Sequence, residues 1–428
     1  MTQHSPDSDR AGHLPLTGVA GVAIGNALEF YDFLSFSFFA VQIGHTFFPT
    51  AQTAHGLLYT LAVFGVGFIT RPIGGIIIGA YADRAGRRPA MLLSFSLMGL
   101  AIVGLALTPG YATIGISAPI LLVVFRLLSG FALGGEVGPS TAFLLEVAPP
   151  QRRGLYVGLQ YATQDLAVLI AGAVGLVLSL MLSPDALDHW GWRIAFLLGA
   201  SIVPFGLAMR RRLPETLHST ALRHDSPVSQ LPPARVFLLG ILILGSATIA
   251  YYGIEYLNTY CQDTLHLSAQ LAFGTTIVLG VTTIVADIGS GIASDHVGRK
   301  PIMLAAASAV LIAIVPVFFL INRIPEPWMI FSVTAALGVL SACISVPALT
   351  SITESLPAHI RSGMLGTLYA IAMSVFGGTT QFVAKGLIGV THNPLAPAFY
   401  IMSAMGVGVL AMRLMRETSP AALRNSAR

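Results

Sequence analysis

The chain has 428 residues, of which 54% are hydrophobic and 10% charged, with 23 Lys and Arg against 19 Asp and Glu. A soluble domain carries roughly 25% charged residues, so the composition excludes an ordinary soluble enzyme and points to an all-α membrane protein. A β-barrel would show alternating segments of about ten residues, and the apolar runs here are much longer; the net charge of +4 reads as membrane orientation, not as affinity for nucleic acid.

Taken in order, residues 1–16 form a polar cytoplasmic N-terminal tail with no cleavable signal pattern, which leaves the first apolar segment as the insertion signal. Hydrophobic stretches, each near the ~20 residues that cross a bilayer core, predict twelve transmembrane spans. They fall at 17–40, 56–81, 90–109, 118–146, 155–181, 192–209, 235–260, 269–293, 301–321, 327–350, 363–391 and 395–415. Residues 17–209 therefore make an N-terminal six-helix bundle and 235–415 a C-terminal one. Residues 210–234 join them as a cytoplasmic central loop containing Pro214, Pro227, Pro232 and Pro233, and 416–428 form a cytoplasmic C-terminal tail. Of the 23 Lys and Arg, 18 fall in the tails and in loops on one side, only Arg323 falls in a loop on the other, and Arg71, Arg126, Arg193 and Lys385 lie within spans. By the positive-inside rule both termini are cytoplasmic. Cys261 and Cys343 sit in or beside apolar segments and read as packing residues, not as a disulfide.

A loop motif is duplicated. Gly79-x-x-x-Asp83-x-x-Gly86-Arg87-Arg88-Pro89 recurs 212 residues later as Gly291-x-x-x-Asp295-x-x-Gly298-Arg299-Lys300-Pro301, and Glu146, Pro149 and Arg153 correspond to Glu354, Pro357 and Arg361 at an offset of 208. Two matches at nearly one offset identify a duplicated six-helix unit. In each loop the glycine permits a tight turn and the basic residues stay at the anionic inner surface. The aspartate at the end of its span can pair with a basic residue or cap the amides of a helix. Asp83, Arg87, Arg88, Glu146, Arg153, Asp295, Arg299, Glu354 and Arg361 are thus the candidate cytoplasmic gate.

This duplicated loop resembles the signature of the major facilitator superfamily, as does Arg126-Leu-Leu-Ser-Gly130-x-x-x-Gly134-Gly135-Glu136 in the fourth span. Further stretches resemble its metabolite:proton symporter branch: Gly25-Asn26 with Glu29-x-x-Asp32-Phe33, Gly67-Phe68-x-x-Arg71-Pro72, Trp190-Gly191-Trp192-Arg193 and Phe376-Gly377-Gly378-Thr379. Within that branch, spans one to five are most similar to the citrate and tricarballylate transporters. The resemblance covers essentially the whole chain. It implies two pseudo-symmetric six-helix bundles around a central cavity that opens alternately to each side.

The spans also carry ionisable groups: Glu29, Asp32, Arg71, Arg126, Glu136, Asp165, Glu255 and Lys385. A charge at the bilayer centre costs at least ~2.5–3.5 kcal/mol on insertion scales, so such groups face a wet interior and are candidates for an ion or substrate path. At 1.5 Å per residue, Glu29 and Asp32 lie about 18–22 Å above the inner end of span one, and Arg126 lies ~18 Å above the inner face of a ~30 Å core. Asp32 or Glu29 is therefore expected to pair with Arg126, and Arg71 with Glu136. Asp32 is the first candidate for the coupling proton and Glu136 the second, with Glu29 as the alternative and Arg126 holding the charge balance. Candidate substrate-binding residues are Asn26, Glu29, Tyr31, Arg71, Arg126, Gln160, Gln164, Asp165, Tyr252, Asn258, Gln381 and Lys385, because anions need preorganised donors.

The expected activity is import of a small di- or tricarboxylate with protons. Two alternatives remain open: proton-coupled uptake of a zwitterion of the proline or betaine kind, and export of small molecules or drugs. His45 and His55 flank a loop with no further metal-ligating residue between them and read as solvated. Neither a Gly-x-Ser-x-Gly elbow nor a Gly-x-x-x-x-Gly-Lys-[Ser/Thr] phosphate loop occurs, so the reading is a transporter and not an enzyme, driven by the proton gradient without a cofactor. Substrate, protons and membrane lipid are the expected partners of a monomeric protein in a bacterial-type inner membrane.

Overall fold

The structure is a computed structural model. It describes residues 27, 30–36, 39–48, 54–211, 232–257, 260–261, 264–265, 267, 269–421 and 423, apart from the side chains of a few further residues such as Glu136. The described residues are helical with short connections. Residues 30–36 and Ala40–Phe47 belong to the first span, and the second runs as Ala54–Ile69 and Arg71–Ala85. Spans three to six are Arg87–Leu107, Ser117–Val147, Arg153–Met181 and Trp192–Arg210. Spans seven to ten are Pro233–Glu255, Ala269–Val297, Arg299–Arg323 and Pro327–Glu354. The eleventh is divided into Arg361–Ala372 and Gly378–Thr391 by a π-helical turn at Met373–Gly377, and Ala396–Leu414 is the twelfth.

Among the described residues ten helices are long and apolar enough to cross a membrane, and the first and eleventh spans complete the twelve-helix, two-bundle fold. This is an integral membrane protein. Its outside is apolar, with Ile76, Ile77, Leu100, Ile120, Val285, Ile312 and Leu410 exposed. Asp32, Arg71, Arg126, Asp165, Asp287 and Glu354 are buried. Hydrocarbon solvent imposes that arrangement, because it can satisfy neither a charge nor a free backbone group.

The duplication has a physical counterpart in the backbone. Gly86 and Gly298, the glycines of the two matching loops, adopt φ of 115° and 124°. A side chain is strained there, and the turns let span three restart one residue after span two ends, and span nine after span eight. Pro139 and Pro347 lie inside spans four and ten at corresponding positions of the two halves. Span four is 31 residues long, or about 46 Å against a ~30 Å hydrocarbon core. Its last turns, with Glu146, therefore stand outside the core at the end that carries the basic loops. The halves meet through two related pairs, span two against span eleven and span five against span eight.

A side chain at the Gly298 position must enter a region of φ/ψ used almost only by glycine, at about 1–3 kcal/mol. Gly298→Ala is accordingly expected to lower the unfolding temperature in detergent. Gly289→Ala, whose new methyl group meets nothing within 4 Å, is expected to leave it nearly unchanged.

Candidate functional site

A cavity with an empty volume of about 750 Å³ lies between the halves. Span one contributes Phe30, Phe33 and Leu34, and span five Tyr161, Gln164 and Asp165. Tyr251, Tyr252 and Glu255 come from span seven, Thr283 and Asp287 from span eight, Ser341 and Ser345 from span ten, and Tyr369 and Met373 from span eleven. The Tyr251 hydroxyl donates to Asp165 Oδ1 at 2.9 Å. Asp165 in turn interacts with Asp287 across the boundary between the halves and lies beside Thr283. Every charged group on the cavity lining is acidic, and no Lys or Arg is among the lining residues described.

The basic groups lie on the other side of Phe33. A smaller space of about 200 Å³ is bounded by Asp32, Phe33, Gly67, Arg71, Arg126 and Ser129. Arg126 Nη1 is 3.4 Å from Asp32 Oδ2, and both side chains are nearly fully buried. Asp32 Oδ1 has no hydrogen-bond partner among the described residues. The arginines are held by aromatic faces. Arg71 lies 4.0 Å from the ring centre of Phe68 and 4.5 Å from that of Phe33, and Arg126 lies 4.3 Å from that of Phe36. Such stacking stabilises a guanidinium by ~2 kcal/mol or more when desolvated. A buried ion pair whose contact is single and long recovers little of its desolvation cost, so this carboxylate is weakly held.

At the basic-loop end two related networks close the cavity. Arg87 bonds Asp83, with Glu146 at 3.3 Å and the Ala358 carbonyl at 2.9 Å, and Arg361 lies 3.4 Å from the same Glu146 oxygen. In the other half Arg299 lies 2.6 Å from Asp295 and 3.3 Å from Glu354. The two aspartates reach across. Asp83 accepts the Gly363 N–H at 2.7 Å, and Asp295 accepts the Gly154 and Leu155 N–H groups at 2.9 Å each. Those amides are the unpaired donors at the starts of spans eleven and five, where a carboxylate satisfies both hydrogen bonding and the helix dipole. Each half therefore caps a helix of the other.

Comparison with known proteins agrees with this architecture. The Major Facilitator Superfamily profile matches residues 22–378. The chain belongs to the major facilitator superfamily. It is 35% identical to a citrate-proton symporter of Klebsiella pneumoniae, over 97% of this chain and 95% of that one. It is 34% identical to the alpha-ketoglutarate permease of Escherichia coli K12, over 93% and 92% of the two chains. With the proline/betaine transporter of the same strain it shares 30% identity, over 95% and 85%. The solved structure of the proton:xylose symporter XylE with 6-bromo-6-deoxy-D-glucose superposes with a TM-score of 0.79 at 18% identity, over 94% and 96%, a likeness of fold.

Within this major facilitator frame the residues singled out from the sequence separate into groups. Gln164, Asp165 and Tyr252 line the cavity. Asn26, Glu29, Asn258 and the side chain of Glu136 lie outside the described residues, so the expected Arg71–Glu136 pair does too. Four expected substrate ligands point elsewhere. Tyr31 donates to the Ala195 carbonyl in span six, because Phe30, Phe33 and Leu34 hold the cavity face of span one. Gln160 accepts from Thr141 at 3.1 Å and packs between spans five and four. Beyond the π turn the buried face of span eleven carries Thr380 and Ala384. Gln381 and Lys385 come one residue later, about 100° around the helix, and Lys385 is exposed. Arg71 and Arg126 are screened from the cavity by Phe33.

Of the gate residues, Arg153 is buried near Glu354, and Arg88 is half-buried beside the network. Arg193 is a surface anchor that donates to the His189 and Thr108 carbonyls. The sequence reading passes over Asp287, an acid inside the predicted span 269–293 that a check of each span for carboxylates finds. It also passes over Glu417, whose carboxylate accepts the Arg299 and Lys300 N–H groups at 2.9 Å and so caps span nine. That residue lies in the tail, and no sequence signal ties it to the helix.

Losing a charge-assisted hydrogen bond costs about 1.5–3 kcal/mol, or roughly 10- to 100-fold in a conformational equilibrium. Asp83→Ala should therefore open the basic-loop end. A cysteine in place of the fully buried Ser362, in a background without the two native cysteines, is expected to react with maleimide at least about tenfold faster in that variant.

Proposed function

We propose that the protein is a secondary active transporter that imports a small organic acid, a di- or tricarboxylate of the citrate kind, together with protons by alternating access. It works as a monomer in a bacterial inner membrane, with both termini and the basic loops in the cytoplasm, and is driven by the proton gradient with no bound cofactor. Full-length similarity to a citrate-proton symporter and an alpha-ketoglutarate permease supports the substrate class. The observation that carries the coupling is the buried Asp32–Arg126 pair beside the cavity, single-contact and with one carboxylate oxygen that has no partner among the described residues.

Asp32 is the proton carrier in this reading. When it is charged it neutralises Arg126. When it is protonated, the positive charge of Arg126 is uncompensated and favours an anion on the cavity side of Phe33. Arg71 adds to that field, and Gln164, Tyr251 and Tyr252 supply hydroxyl and amide groups for orientation. The substrate therefore enters with its proton, and opening at the cytoplasmic end requires the Asp83 and Asp295 caps to part. Glu136 and Glu29 are the next candidates for a coupling role.

A second reading, uptake of a zwitterion such as proline or betaine, is favoured by the acidic lining of Asp165, Glu255 and Asp287 and by similarity to a proline/betaine transporter. Labelled citrate, tricarballylate, α-ketoglutarate, shikimate, proline and betaine offered to proteoliposomes with and without a pH gradient separate the two. One proton crossing one pH unit supplies about 1.4 kcal/mol, hence about a tenfold accumulation ratio. Asp32→Asn is expected to lose that accumulation while still equilibrating substrate. An Asp32→Asn protein that accumulates a carboxylate with the pH dependence of the unmodified one would overturn the assignment.

A further inference from the structure

Spans five and eight pack in an unusually close antiparallel seam. A methyl group added at Gly154 would lie 2.5 Å from the Gly291 carbonyl oxygen, and one at Gly158 would lie 2.5 Å from the Asp287 carbonyl oxygen. Further along, one at Gly280 would lie 3.6 Å from the Asp165 carbonyl oxygen. The contacts advance in step along both helices, so the seam runs from the Asp295 cap at one end to the level of the cavity. Asp165 and Asp287 sit where the seam meets the cavity, one from each half, 6% and 2% exposed. Both line the cavity, and their carboxyl groups are close enough to interact directly. A carboxylate only accepts hydrogen bonds, so contact between two carboxyl groups requires a proton on one of them. Asp287 Oδ2 accepts no hydrogen bond from a donor among the described residues, so nothing but a proton offsets the charge of this carboxyl group.

We propose that Asp165 and Asp287 form a second proton-binding site, shared between the halves, that holds the seam closed when occupied and releases its proton as the seam parts. It rests on the proton-coupled reading above and adds a proton to the one assigned to Asp32. While the seam is closed the pair keeps one proton in a dry contact. When spans five and eight separate, the carboxyls part, each meets water, and the proton leaves to the side onto which the seam has opened. Loss of the proton in the closed state places two negative charges in contact and drives the same separation.

The surrounding groups favour this role. Tyr161 of span five, Tyr251 and Glu255 of span seven, Cys343 of span ten and Tyr369 of span eleven face the pair or its immediate neighbours. None of them is a cation that could neutralise two carboxylates. The pair also sets the terms for the substrate. A carboxylate entering a cavity lined only by acidic charge binds once that charge is reduced, so binding of an organic anion is tied to occupancy of this site.

The test reads the seam directly and without substrate. Nitroxide labels on Gln151→Cys and His296→Cys, both exposed at the basic-loop ends of spans five and eight, report their separation by pulsed electron resonance in nanodiscs across a pH series. The parent is expected to shift toward longer distances as pH rises. Asp287→Asn and Asp165→Asn, in which the amide donates permanently to the remaining carboxylate, are expected to keep the short distance at every pH, and two variants guard against misfolding of either. In proteoliposomes, two coupled protons raise the accumulation ratio about 100-fold per pH unit and one about tenfold, so Asp287→Asn should lose about a factor of ten. A parent distance that ignores pH, or a pH-dependent opening that persists in both Asn variants and disappears in Asp32→Asn, would overturn the site. A failure of the organic-acid reading appears separately, as absent carboxylate uptake with the label response intact.

Discussion

Every charge inside a hydrocarbon solvent needs a partner within the protein, and that requirement organises this molecule. Apolar residues cover the outside because the bilayer demands it, and the polar groups that remain are drawn to the middle and to one end. At the end they form two matched carboxylate–arginine networks that tie the bundles together. In the middle they surround a cavity. The helix bundle supplies geometry, but the need to satisfy buried charge decides which helices face which.

Inside, charge is sorted by sign. Acidic groups line the cavity, while Arg71 and Arg126 lie beside Phe33, stacked on aromatic rings, and Arg126 is weakly linked to one carboxylate, Asp32. Phe33 thus lies between a cavity lined by acids and a closely packed group that holds both arginines. An anion placed in the cavity is pulled by the field of the arginines and pushed by the acids, and the balance depends on how many protons the acids hold. In the proposed mechanism proton and organic anion are linked through this field.

Much of this was legible in the sequence, and where it was not the reason is geometric. The duplicated loop gave the two halves, and matching depths brought Asp32 or Glu29 to Arg126, because both follow from one-dimensional counting. Rotation about a helix axis does not. Tyr31, Gln160, Gln381 and Lys385 face away from the cavity lining, since one residue turns a side chain through about 100°. The π turn in span eleven and the switch of Phe33 between two spaces are set by packing between spans that the sequence keeps far apart. Depth is written along a chain, and azimuth is decided by neighbours.

The two caps at the basic-loop end make one further point. Asp83 and Asp295 take hold of main-chain N–H groups at Gly363, Gly154 and Leu155, not of side chains. The recipients must begin a helix at the correct place and, at Gly154 and Gly363, carry no side chain: an added methyl group would lie 2.5 Å from the Gly291 carbonyl oxygen and 2.7 Å from Asp83 Oδ2. The chemical information for joining the bundles is divided between the carboxylate that reaches out and the bare backbone that it grips. Each half carries both the hook and the eye, so one pattern, used twice, makes the joint at two places.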